Sequence, residues 1–76
     1  MKTVQISLNS IDKVKSFVND ITKFDYDFDL VSGRYVIDAK SIMGIFSLDL
    51  TKPICVNFYT EDADGIMAEL KPYTVD

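Results

Sequence analysis

Apolar residues in this 76-residue chain switch repeatedly between two spacings, and that switching constrains the fold more than any other feature. Val4, Ile6 and Leu8 alternate with Thr3, Gln5 and Ser7, the period-two pattern of a half-buried strand. Ile11, Val14, Phe17, Val18 and Ile21 then recur at three- and four-residue steps. Asn9-Ser10 just ahead of them offers capping oxygens, so a helix is expected over about residues 10–22, with these five side chains inward. Asp12, Lys13, Lys15, Asn19 and Asp20 fall on its wet face, where charge pairing is weak. Alternation returns at Phe24, Tyr26, Phe28 and Leu30, interleaved with Asp25, Asp27 and Asp29, and predicts a strand with one solvated face.

Ser32-Gly33 is a hairpin signal, and Arg34 to Asp38 is the returning strand. Ser41 can cap a short helix from Ile42 to Leu48; Gly44 inside it weakens it by about 1 kcal/mol relative to alanine. Lys52-Pro53 ends that segment. Ile54, Val56 and Phe58 alternate with Cys55, Asn57 and Tyr59 in a fourth strand. Glu61 to Asp64 offer caps and first-turn acids to a last helix near residues 62–71, with Ala63, Ile66, Met67 and Leu70 inward and Pro72 as its stop. The resulting order is β-α-β-β-α-β-α. An α+β fold follows: one four-stranded, mainly antiparallel sheet with three helices on one face and the Asp25-Asp27-Asp29 row facing solvent. No linker or repeat interrupts the pattern, so residues 1–76 read as a single domain with one modest core.

Twelve acidic against eight basic residues give a net charge of −4, and the lysines and arginines are scattered. Phosphate backbones and anionic membrane surfaces are therefore poor partners: no nucleic acid and no membrane are expected. Cys55 is the one cysteine, which excludes an internal disulfide and suits a reducing compartment. Its default role is that of a half-buried structural thiol, since nothing beside it in sequence would lower its pKa. Met1 to Ile6 lacks the apolar run of a signal peptide and no segment is long enough to span a bilayer, so a cytoplasmic protein is expected.

Histidine is absent altogether. That removes the commonest general base near neutral pH and, with a single cysteine, excludes a structural zinc site within one chain and any Ser-His or Cys-His nucleophile pair. Neither a cofactor nor a resident metal is expected. Asp25, Asp27 and Asp29, about 7 Å apart along a strand, lack the glycine-containing loop of an EF-hand and read as a solvated face that discourages edge aggregation.

Lys40-Ser41-Ile42-Met43-Gly44-Ile45-Phe46-Ser47-Leu48 resembles the signature of the HPr phosphocarrier family of the sugar phosphotransferase system, in which a strand ends in Lys-Ser-Ile-Met-Gly and runs into a short helix. The family's element order matches the one read from periodicity, and the resemblance extends more weakly from the first strand to Tyr59. It implies the family's open-faced β-sandwich. Family members carry phosphate on the histidine of a His-Ala-Arg-Pro motif at the start of the first helix. Here the region reads Asn9-Ser10-Ile11-Asp12-Lys13, which places Ser10 at the histidine position, Asp12 where the arginine would be and Lys13 at the proline. A phosphoserine ester does not pass its phosphate on readily, and a carboxylate repels it. The resemblance thus implies a degenerate carrier site at Ser10 and Asp12, with no catalytic residue.

Ser41 matches the serine that a dedicated HPr kinase phosphorylates in low-GC Gram-positive members. Some paralogues lacking the histidine retain that serine and act as catabolite-repression co-regulators. A phosphate on Ser41 would sit at a helix N-terminus, with Lys40 able to assist. An N-cap is the plainer role for the same hydroxyl. In the family, residues after this serine form an apolar docking patch, which implies a partner surface of Lys40, Ser41, Ile42, Met43 and Phe46. A core role competes for Met43 and Phe46, while Ile45 and Leu48 read as core. Tyr59 and Tyr73 read as edge residues. The expected function is a non-enzymatic regulatory or protein-binding module whose partner is an HPr kinase or a catabolite-control regulator. The alternatives are a phosphocarrier acting through an unusual site, or a structural or small-molecule-binding α/β domain, in which a bare edge strand would allow a homodimer.

Overall fold

The computed structural model describes residues 2–60 and 63–75. Its elements follow the expected order: β1 (Lys2–Ile6), α1 (Ile11–Ile21), β2 (Phe28–Ser32), β3 (Tyr35–Asp38), α2 (Ile42–Phe46), β4 (Ile54–Phe58) and α3 (Ala63–Leu70). The strands form one sheet in the order β1-β4-β2-β3, and each neighbouring pair is antiparallel. Register sorts the side chains. Val4, Val56, Leu30 and Ile37 share one row, and Phe58 lies opposite Phe28 in the next. These residues face the helices, where Phe17, Phe28, Phe58, Ile45, Ile54 and Ile66 are fully buried in one continuous core. Burying each such side chain is worth roughly 1.5–3 kcal/mol. The other face carries two rows, Thr3–Asn57–Asp29–Asp38 and Gln5–Cys55–Val31–Val36. Thr3 Oγ1 donates to Asn57 Oδ1 at 2.8 Å, and Cys55 is half-buried.

The β2–β3 hairpin turns on two residues, Gly33 and Arg34. Gly33 has φ of 60°, the chain's one left-handed residue among those described, which is the requirement of a turn whose first central position must be glycine.

Four expectations are corrected. The second strand begins at Phe28, not Phe24. Lys23 and Phe24 still donate their N–H groups to Asp20 and Ile21 carbonyls to close the end of α1, so this stretch cannot join the sheet. The Phe24 ring nevertheless packs on Phe28, with centroids 6.4 Å apart, which explains the apolar alternation. Of the three aspartates, Asp29 alone lies on the strand; Asp25 and Asp27 are in an exposed loop. Ile11, expected inward, is 62% exposed, and Met67 is 38% exposed. Both stand roughly 80–90° around their helix from the centre of the buried stripe, at 100° per residue. Val14, Phe17 and Ile21 define that stripe in α1, and Ile66 and Leu70 in α3. The capping residues Glu61 and Asp62 lie outside the described residues.

The last correction concerns Tyr73. The chain continues past Pro72 through a 3-10 turn, Lys71–Tyr73, and Tyr73 is buried. Its ring meets Phe17 edge-on at 5.7 Å, and its hydroxyl donates to Asp20 Oδ2 at 2.6 Å. Asp20, expected on the wet face, is thereby tied into the fold. Ser7 N–H donates to the Tyr73 carbonyl, Val75 N–H donates to Gln5, and Thr74 bridges Ile6. The outer edge of β1 is thus paired by the chain's own tail.

Burial, and secondarily the Asp20 hydrogen bond, push the Tyr73 phenol from 10.0 up to about 12. Its contribution is therefore complete below pH 10, the unfolded value, and is lost as pH rises towards 12. Tyr73→Phe is expected to lower unfolding free energy by about 1–2 kcal/mol in urea denaturation at neutral pH. The same substitution should remove the last phenolate step from an ultraviolet titration.

Candidate functional site

Both serines singled out in the sequence open helices. Ser10 has extended backbone and its Oγ accepts from Lys13 N–H at 3.1 Å. Ser41 is likewise extended, and its Oγ accepts from Gly44 N–H at 3.3 Å. The N-cap role of Ser41 is therefore filled, and its hydroxyl stays on the exposed surface with its own proton free to donate. Asp12 and Lys13 are exposed in the first turn of α1.

The turn that presents Ser41 is held by backbone bonds. Ser41 N–H donates to the Asp38 carbonyl at 3.0 Å, and Ile45 N–H donates to the Ser41 carbonyl at 3.0 Å. Asp38 Oδ1 accepts from Lys40 N–H at 2.9 Å. Lys40 itself points elsewhere. Its ammonium donates to the Phe24 carbonyl at 2.9 Å and lies over the Phe28 ring, 5.8 Å from the centroid. The charge expected beside Ser41 thus ties the start of α2 to the exit of α1. Sequence reasoning missed this because the partners are sixteen and twelve positions away, with no local pattern linking them. Ser10 lies at the far end of α1, about 15 Å along an eleven-residue helix.

Gly44 is needed for a close approach. A Cβ there would stand 3.2 Å from Ser41 Oγ and 3.3 Å from Ile37 Cδ1. The turn that lets Ser41 cap α2 also presses α2 against β3.

Ile45 and Leu48 are core, as expected, and Ile42 is half-buried against it. Met43 is 77% exposed and Phe46 40% exposed, and as i,i+3 neighbours they share one outward face of α2. Ile11, at the start of α1, is a further exposed apolar side chain. Neither Asp25, Asp27 and Asp29 nor any other trio of acidic or cysteine side chains among the described residues is placed to hold a metal ion. Among the described residues, no helix is long and apolar enough to cross a membrane.

No protein-family model and no curated protein matches the chain. Solved structures do. The phosphocarrier protein HPr of Bacillus anthracis str. Ames superposes with a TM-score of 0.73 at 28% identity, covering 97% of this chain and 94% of that one. The chain is HPr-like. HPr-C-His from Thermoanaerobacter tengcongensis gives a TM-score of 0.78 at 24% identity over 95% and 89% of the two chains, which adds agreement in fold. A histidine-containing phosphocarrier protein from Mycoplasma gives 0.70 at 17% identity over 93% and 86%. The HPr-like fold therefore embraces the whole path from β1 to the C-terminal turn, and with it the surface of α2.

Helix propensity alone says that Gly44→Ala should stabilise α2 by about 1 kcal/mol. A Cβ would require Ser41 Oγ and Ile37 Cδ1 to give by a few tenths of an ångström, which would cost Ser41 its capping geometry and work against that gain. Gly44→Ala is expected to lower unfolding free energy by about 1 kcal/mol, read by thermal or urea denaturation.

Proposed function

We propose that this HPr-like chain is a non-enzymatic regulatory module of the phosphotransferase system that docks on a protein partner through Ser41, Met43 and Phe46. The reading rests chiefly on Met43 and Phe46. On a five-residue helix, Met43 stays largely in water and Phe46 keeps two fifths of its surface exposed, although the core beside them is closed by Ile45 and Leu48. Exposed apolar surface of that kind is retained at docking sites, and methionine adapts to differing partners. Lys40 and Ile42 are proposed only as the border of this face, Lys40 with its ammonium held at the Phe24 carbonyl and Ile42 half-buried against the core.

The chain has no histidine, so it holds no imidazole on which to form the labile N–P bond of a relay. Ser10 has no base beside it: its Oγ is a helix cap, and Asp12 in the same turn would repel a phosphoryl group. Transfer through Ser10 is accordingly not part of the proposed function. Ser41 is the proposed regulatory phosphorylation site, its hydroxyl exposed and its turn held in place by Asp38. A phosphoryl group there would stand at the positive end of α2 and accept from the N–H groups of its first turn. An HPr kinase would place it, and a catabolite-control regulator would read it together with the apolar face. The proposed setting is the cytoplasm.

Incubation with HPr kinase and ATP tests the modification: a single phosphoryl group is expected by intact mass, abolished in Ser41→Ala and retained in Ser10→Ala. Binding of the phosphorylated chain to the regulator should then fall by about tenfold or more in Met43→Asp, a loss of about 1.4 kcal/mol, while the melting temperature is unchanged. Absence of both modification and complex would refute this function. Passage of labelled phosphate from phosphoenolpyruvate and enzyme I through the chain would replace it with a carrier role.

A further inference from the structure

On another part of the molecule, the β2–β3 turn and the segment after α2 enclose a shallow groove of about 260 Å³. Leu48 and Tyr35 supply its apolar lining, and Arg34 and Lys52 bring two cations to it, in a chain whose net charge is −4. Arg34 makes no hydrogen bond or ion pair among the described residues. The one carboxylate in the lining, Asp49, is engaged within its own turn. Asp49 Oδ1 accepts from Thr51 N–H at 3.1 Å and from Thr51 Oγ1 at 2.5 Å, while Oδ2 lies 4.0 Å from Lys52 Nζ. These Thr51 bonds hold the Asp49 carboxyl below its usual range, so it stays ionised and offsets the charge of Lys52 rather than that of Arg34. Arg34, in the lining of the groove, is thus left without an ionic partner among the described residues.

We infer that this groove is a binding site for a small phosphate monoester. A guanidinium presents paired N–H donors that match two phosphate oxygens, and Lys52, its charge partly offset by Asp49 at 4.0 Å, adds a weaker second attraction for an anion. Ser32 and Tyr35, two hydroxyl-bearing residues, belong to the same lining, and Leu48 with the Tyr35 ring offers apolar surface to a short carbon body. The volume is below that of drug-sized pockets, which suits a small ligand such as a phosphate with a few attached carbons. Because the cations are solvent-exposed, binding is weak and salt-sensitive. The site involves neither Ser41 nor the Met43–Phe46 face, so it stands or falls independently of the regulatory reading.

Glycerol phosphate is the probe, titrated into the intact chain at constant ionic strength and followed by amide chemical shifts, with glycerol and inorganic sulfate as controls. Saturable shifts confined to residues 32–35 and 47–52 are expected, with a millimolar dissociation constant. Affinity should weaken by about tenfold in Arg34→Gln and by less in Lys52→Gln, both with unchanged melting temperature. Shifts of the same size with sulfate, shifts that do not saturate, or undiminished binding by Arg34→Gln would each overturn the assignment.

Discussion

The tilted packing of Phe28 against Phe58, with ring centroids 5.8 Å apart across the central β2–β4 pair, is the contact on which the remainder of the molecule is assembled. Both rings are buried, and both project toward the helices because register places them in one row. Phe24 extends the aromatic contact to the exit of α1, and Lys40 lies over the Phe28 ring while bonding the Phe24 carbonyl. A small chain has few such opportunities. Removing one ring from this cluster would open a cavity costing about 3–5 kcal/mol, which is comparable to the whole stability of a domain of this size.

That arrangement explains how an exposed face on α2 is tolerated. Ile45, Leu48 and the half-buried Ile42 anchor the short helix, Gly44 allows it to press on Ile37, and backbone bonds from Asp38 through Ile45 hold its first turn. Met43 and the exposed part of Phe46 are left on the outer side of the helix, available to another surface. Tyr73 performs a parallel service at the opposite edge. Its hydrogen bond to Asp20 and its contact with Phe17 seat the tail that pairs with β1, so the open backbone edge of the sheet lies on β3.

Much of this was legible in the residues. Period-two alternation located β1 and β4, and the hairpin signal located β3, each to within a residue or two, while Ser10, Ser41 and Gly33 marked two helix starts and a turn through chemistry that acts over three or four positions. The candidate site was legible to the same extent: Ser41 and the apolar helix behind it lie within one local motif. Phe24 to Asp27 misled because apolar alternation there serves packing, while the backbone is still closing α1. Ile11 and Met67 misled because an apolar residue at helical spacing can still fall to the side of the buried stripe. The signal for that lies in the angle around the helix, not in the spacing.

Local order, and the lack of any imidazole, were determined by the sequence by itself, since each depends on neighbours a few bonds away or on composition alone. Only the tertiary structure decided where Lys40 sends its charge, that Tyr73 is a core residue rather than an edge one, and that Arg34 and Lys52 share a groove. Those outcomes depend on pairs brought together across the sheet order β1-β4-β2-β3, in which neighbours in space are far apart along the chain. No periodicity encodes such a meeting; it follows from which faces must be buried together.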